Sequence, residues 1–236
     1  MKRQLINLII LFNVAFWNIL GISCSSEKDH KTVDEKEVKN QNKNNELTIF
    51  LVPLDNISDV QLDGLKRDLI QNFTDSAFKE CIIEKLDNVN SPDTCLNDLK
   101  TRLSAKRLIW FLENNYGPVA EKRLKNEGTD STNYYIIGVT NRDIATAVHG
   151  KKDFGILGLS YLGGHKASII STYRLKNGKD LWKLALHEFA HGYFRAPHCP
   201  KDDPACILQD AKGGNPHFEL KKSLCEVCLS TCDPSK

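Results

Sequence analysis

Between His187 and Cys228 the chain sets two groups of potential metal ligands almost end to end, and a fold that uses them as ligands must draw each group to a point. The stretch opens with His187-Glu188-Phe189-Ala190-His191, passes through His198-Cys199, and continues to Cys206 and then Cys225-Glu226-Val227-Cys228. Leu181, Leu184, Ala185, Phe189 and Phe194 recur at helical spacing, which predicts a helix over 179–194 with Asn177 or Asp180 at its start. Helix residues four apart share a side, so His187 and His191 point to the same place. Glu188 then lies close enough to reach a water on a metal that both imidazoles hold, yet is poorly placed to ligate it. Zinc hydrolysis needs this arrangement: the ion lowers the pKa of its bound water toward neutrality, and a carboxylate takes the proton as the water attacks a polarised carbonyl.

A catalytic zinc also needs a third protein ligand and an open position. His198 follows the end of the helix, directly after Pro197, and a chain turning back there brings it to the metal. Phe194-Arg195-Ala196-Pro197 lacks the glycine that eases such a turn. The second group is Cys199, Cys206, Cys225 and Cys228, the last two spaced C-x-x-C. Four thiolates around a tetrahedral zinc would close a segment too poor in apolar residues to build its own core. Disulfides are the rival use of these cysteines, and Cys232 and His217 are spare ligands.

The remaining chain says where such sites would sit. At 236 residues it has room for one domain of ordinary size. Residues 1–23 carry Lys2 and Arg3, then an apolar run to Ile22, and Cys24 follows, as in a lipoprotein-type signal peptide whose cysteine takes the lipid. An uncleaved anchor is the alternative; either tethers the protein to a membrane, on the exported side. Without Lys2 and Arg3 the 32 basic residues become 30 against 30 acidic, a balance that argues against nucleic acid as a partner. Residues 24–45 are too polar to fold and read as a tether.

The folded region is expected over 46–236. Leu47–Val52 reads as a buried strand closed by Pro53, and Ser58 with Gln61 as a capping box. Val60, Leu62, Leu65, Leu69 and Phe73 mark the helix that follows. A second helix carries Leu103, Leu108, Ile109 and Leu112 and is expected to end near Gly117-Pro118. Tyr134–Val139 is a second buried strand. Gly163-Gly164 between two β-prone runs signals a hairpin, whose edge could take an extended peptide as an extra strand. Cys81 and Cys95 are the best disulfide candidates, with unlinked core cysteines as the alternative.

These residues resemble the archaemetzincins, a branch of the metzincin peptidases, whose pattern is H-E-x-x-H-x-x-G-x-x-H-C, then C-x-M, then C-x-x-C. His187, Glu188, His191, His198-Cys199, Cys206, Cys225 and Cys228 follow that order. Ile137-Gly138-Val139-Thr140 with Asp143, and Ser171–Leu175, extend the likeness upstream. The resemblance implies His187, His191 and His198 as ligands of a catalytic zinc, Glu188 as general base, and the four cysteines as a structural zinc site within 199–232, two ions in all. It also implies an α+β fold: a mixed twisted sheet with an α/β-type N-terminal part, an active-site helix and a small zinc-stabilised C-terminal subdomain. Three departures stand out. One extra residue lies between His191 and His198, Phe194 occupies the register of the glycine, and Leu208 stands where the methionine belongs. The expectation is a monomeric, membrane-tethered zinc peptidase acting on peptides or proteins. The alternative is a catalytically silent zinc-binding lipoprotein using the same cleft for recognition.

Overall fold

The computed structural model describes residues 46–74, 81–148, 150–211 and 217–232. The expected signal peptide 1–23, the lipid-attachment candidate Cys24 and the tether 24–45 lie outside the described residues. Among the described residues no helix is long and apolar enough to cross a membrane.

The elements run β1 (Leu47–Pro53), α1 (Asp59–Thr74), β2 (Cys81–Lys85), β3 (Leu103–Ser104), α2 (Ala105–Asn126), β4 (Tyr134–Thr140), β5 (Ile144–Val148), β6 (Lys151–Ile156), β7 (Gly158–Leu159), β8 (Ala167–Ser171), α3 (Leu181–Tyr193) and α4 (Glu226–Thr231). The main sheet has the order β2-β1-β4-β8-β7. Its first four strands are parallel, with Phe50 opposite Ile136 and Gly138 opposite Ile169. β7 closes the edge antiparallel to β8, Gly158 facing Ile170. The three central strands β1, β4 and β8 are buried at every position, which is why they read as unbroken apolar runs. A smaller sheet, β3-β5-β6, stands beside this one.

Alternation along β1 divides the interior in two. Ile49 and Leu51 face a core shared with α1 and α3, whereas Phe50 and Val52 face a core shared with α2. The described residues between Cys199 and Cys232 belong to the first of these: Ile207, Leu208 and Phe218 pack in the same cluster as Phe189 of α3. They are therefore an extension of the α3-side core.

Several expectations hold. Ser58 and Gln61 form the capping box, each side chain meeting the other's backbone N–H at 3.3–3.4 Å. Leu62, Leu65 and Leu69 are buried, although Val60 is turned to solvent. Others need correction. α2 does not stop at Gly117-Pro118 but runs through Pro118 to Asn126, because the residues beyond are strong helix formers and carry Ala120 and Leu124 into the core. Leu103 belongs to β3, and Ser104 caps the helix by accepting the Arg107 N–H at 3.4 Å. Between α1 and α2 lies the unforeseen strand β2, half-buried on the sheet edge. Cys81 packs on the α3-side core and Cys95 inside the α2-side core, so the disulfide considered for them is ruled out by the sheet between.

Candidate metal centres

α3 follows a short 3-10 turn, Gly178–Asp180, and it is Asn177 that caps this turn, accepting the Lys179 N–H at 3.1 Å. Nine of its thirteen residues are buried, including Glu188 and His191. His187 and His191 stand one turn apart with their rings at right angles and Nε2 atoms 3.1 Å apart. Each imidazole is fixed from behind. His187 Nδ1 donates to the Ile207 carbonyl at 2.7 Å, and His191 Nδ1 donates to the Ala196 carbonyl at 2.6 Å. With both Nδ1 protons so used, two bare Nε2 lone pairs face each other, a repulsive arrangement that a cation between them relieves.

His198 joins them. Its ring centre lies 4.6 Å from that of His191 and 5.5 Å from that of His187, and the three residues each offer a ligand atom within 4.8 Å of the others. It is the exposed member, with Asp210 Oδ2 3.7 Å from its Nδ1. The longer loop reaches the site because Arg195 takes φ +56, the left-handed conformation usual for a glycine after a helix end. Arg195 stands two residues before Pro197 and three before His198, so it holds the place of the glycine counted back from the third ligand. The extra residue is absorbed earlier, in the helix end. There the Ala196 N–H bonds back to the Ala190 carbonyl at 3.1 Å, six residues away, one more than the closing bond of a Schellman turn. The Arg195 stem lies over Gly163 of the β7–β8 hairpin, where an added Cβ would fall 2.5 Å from Nε. Gly192 has a different reason: a Cβ there would collide with the Tyr135 hydroxyl, which pairs with Ser160 Oγ at 3.1 Å.

Glu188 is 6% exposed and abuts β7, its Oε1 lying 2.6 Å from where a Cβ on Gly158 would stand. Burial pushes its carboxyl up to about 8 in the metal-free chain. Burial also holds His191 down at about 4 and, together with the neighbouring His191, keeps His187 well below the ordinary imidazole range. These shifts have opposite consequences. The histidines contribute stability that is present above pH 6.5 and is lost as pH falls through their lowered values; Glu188 contributes stability that is present below 4.5 and is lost as pH rises through about 8. Below 6.5 two imidazoles outweigh one carboxyl, and above it the carboxyl acts alone. The metal-free chain should therefore show this site's greatest contribution near pH 6.5 in urea titrations, and Glu188→Gln should remove the decline on the alkaline side.

Ile207 is preceded by Cys206, and His198 is followed by Cys199, so the second group grows out of the first. Cys199, Cys206, Cys225 and Cys228 bring their sulfurs within 4.8 Å of one another. Cys199 and Cys225 are 3.7 Å apart, and the Cys225 N–H points at the Cys206 sulfur at 3.4 Å. A tetrahedral zinc would hold imidazole nitrogens roughly 3.3 Å apart and thiolate sulfurs roughly 3.8 Å apart, whereas a disulfide needs about 2 Å. Both donor sets fit a metal ion, and no disulfide links the four cysteines. The spare ligands stand aside: Cys232 is buried among apolar neighbours, and His217 pairs with Glu219 at 2.8 Å. Leu208 is fully buried one residue after the carbonyl that holds His187.

The histidines open into a cleft of about 1160 Å³, roofed by β6 and β7 and walled by Leu184 and Phe218. The two upstream segments meet beside it. Asp143, after β4, accepts from Arg174 at 2.6 and 2.7 Å and from Arg102 at 2.7 Å, and Arg102 also pairs with Asp153 of β6. This network fixes the β5–β6 hairpin over the cleft.

No family model matches the sequence, and a search of curated proteins finds no match. Solved structures do match. An archaemetzincin from Methanopyrus kandleri superposes with a TM-score of 0.59 at 17% identity, over 80% of this chain and 94% of that one. A zinc-dependent peptidase from Methanocorpusculum labreanum gives a TM-score of 0.56 at 18% identity, over 78% and 99%. The chain has the archaemetzincin-like fold, mixed sheet, helices and C-terminal cysteine cluster included.

Proposed function

We propose that this protein is a zinc-dependent peptidase, with His187, His191 and His198 holding the catalytic ion, Glu188 as general base, and Cys199, Cys206, Cys225 and Cys228 holding a second, structural ion. The observation that carries the reading is the convergence of three imidazoles, two fixed through Nδ1, at the foot of an open cleft with a buried carboxylate on the same helix. Bound there, zinc supplies a Lewis acid that acidifies a water and polarises a carbonyl. Glu188 takes the proton of the attacking water and delivers it to the leaving amine, its position set by burial against Gly158. The β7 edge offers backbone groups to an extended peptide, aligning it over the histidines. Leu208 serves as the apolar floor in the methionine's place, with similar volume.

Purified chain should carry two zinc ions and cleave a peptide library; a preparation without zinc under non-chelating conditions would sink the proposal. Binding without turnover would favour the recognition reading, whose support is the absence of methionine at position 208. From the sequence alone we propose export and tethering through Cys24 to a membrane, with the chain acting as a monomer. Release of Cys24→Ala into the soluble fraction tests the tether.

A further inference from the structure

Lys221 is 2% exposed and is the only lysine or arginine among the buried described residues. Its Nζ donates to the Cys206 carbonyl at 3.1 Å and to the Gln209 carbonyl at 3.0 Å, and it lies 5.5 Å from the centre of the Phe218 ring. The contacts its Nζ makes are with these two carbonyls and the ring. A buried ammonium with only carbonyl partners is costly, and its retention calls for a negative charge nearby.

Four thiolates around one dication carry a net charge of about −2, and among the described residues Lys221 is the one lysine or arginine that is buried. The two carbonyls that Lys221 engages also bracket a particular turn. Cys206 contributes a sulfur, the Ile207 carbonyl holds His187, and the Leu208 carbonyl accepts the Cys199 N–H at 2.8 Å. We infer that Lys221 is the counter-charge of the four-cysteine metal centre, and that its two bonds fix the Cys206–Gln209 turn on which both donor sets depend. This rests on reading the four cysteines as a metal site.

The test uses the full chain and cobalt(II), whose thiolate charge-transfer absorption reports the cysteine site and not the histidines. Affinity is measured against a competing chelator for the native protein, Lys221→Met, Lys221→Gln and Lys221→Arg. Methionine keeps the volume and removes the charge; glutamine keeps a donor for the carbonyls and removes the charge; arginine keeps the charge. The two neutral variants should bind about 10- to 100-fold more weakly at the cysteine site, and Lys221→Arg should retain most of the native affinity. Native affinity in Lys221→Gln, or an equal loss in Lys221→Arg, would overturn the inference. Should Lys221→Met not fold, the comparison of glutamine with arginine decides. A native chain with no charge-transfer band would instead defeat the metal-site reading itself, and is distinguishable on that ground.

Discussion

Glu188→Gln is expected to lower peptide turnover by about 10²- to 10⁴-fold while leaving the zinc content unchanged, which is the range general-base catalysis contributes. The substitution is isosteric, and the pocket admits it. Glu188 packs against Gly158, where any Cβ would come within 2.6–2.8 Å of its carboxyl group, and glutamine fills the same space. The amide therefore stays where the carboxylate stood and loses only the capacity to take a proton. Neither imidazole relies on Glu188, since each draws its outer hydrogen bond from a backbone carbonyl. Zinc analysis alongside turnover checks both halves. Loss of the metal with the activity would mean that Glu188 serves binding, and unchanged turnover would remove it from the chemistry.

Cys228→Ser should have the largest effect on stability. Structural zinc in small domains supplies about 10–16 kcal/mol of binding free energy that is also folding free energy. Here the cysteine segment shares the α3-side core, so part of its order has other support, but Cys199, Cys206 and Cys228 are all buried. A loss of about 4 kcal/mol or more would lower the thermal midpoint by roughly 10 °C in a chain of this size. Calorimetry with and without a chelator checks this: the variant should lie below the native protein and respond less to metal removal. A variant as stable as the native chain would show the cluster to be idle.

The donor sets were legible because ligand chemistry restricts residue type. Only histidine, cysteine and carboxylates serve, and their spacing survives in the sequence even where the glycine and methionine of the family pattern do not. β1 and β4 were legible because strands covered on both faces must be apolar throughout. The outer partners of the imidazoles were not, since Ile207 and Ala196 act through carbonyls that every residue possesses. Nor was the turn at Arg195, because a left-handed arginine costs local energy that the surrounding packing has to offset. β2 escaped notice because an edge strand of five residues ending in Glu84-Lys85 carries little apolar pattern. Pro118 misled through a rule that usually holds, and the core positions beyond it outweighed one missing hydrogen bond.

Both donor sets lie on one side of the main sheet. The other side, where α2 packs on Phe50, Ile136 and Ile169, holds no such group among the described residues. On the proposed reading, the sheet thus divides the described domain into a half whose packing two ions would reinforce and a half that stands on packing alone. Chelation should part the two in hydrogen exchange: amides of α2 and its strands remain slow, while those from 199 to 232 and the end of α3 become fast. Metal supply would then act as a rheostat on one hemisphere of a protein whose other hemisphere keeps the fold assembled and ready to be reloaded.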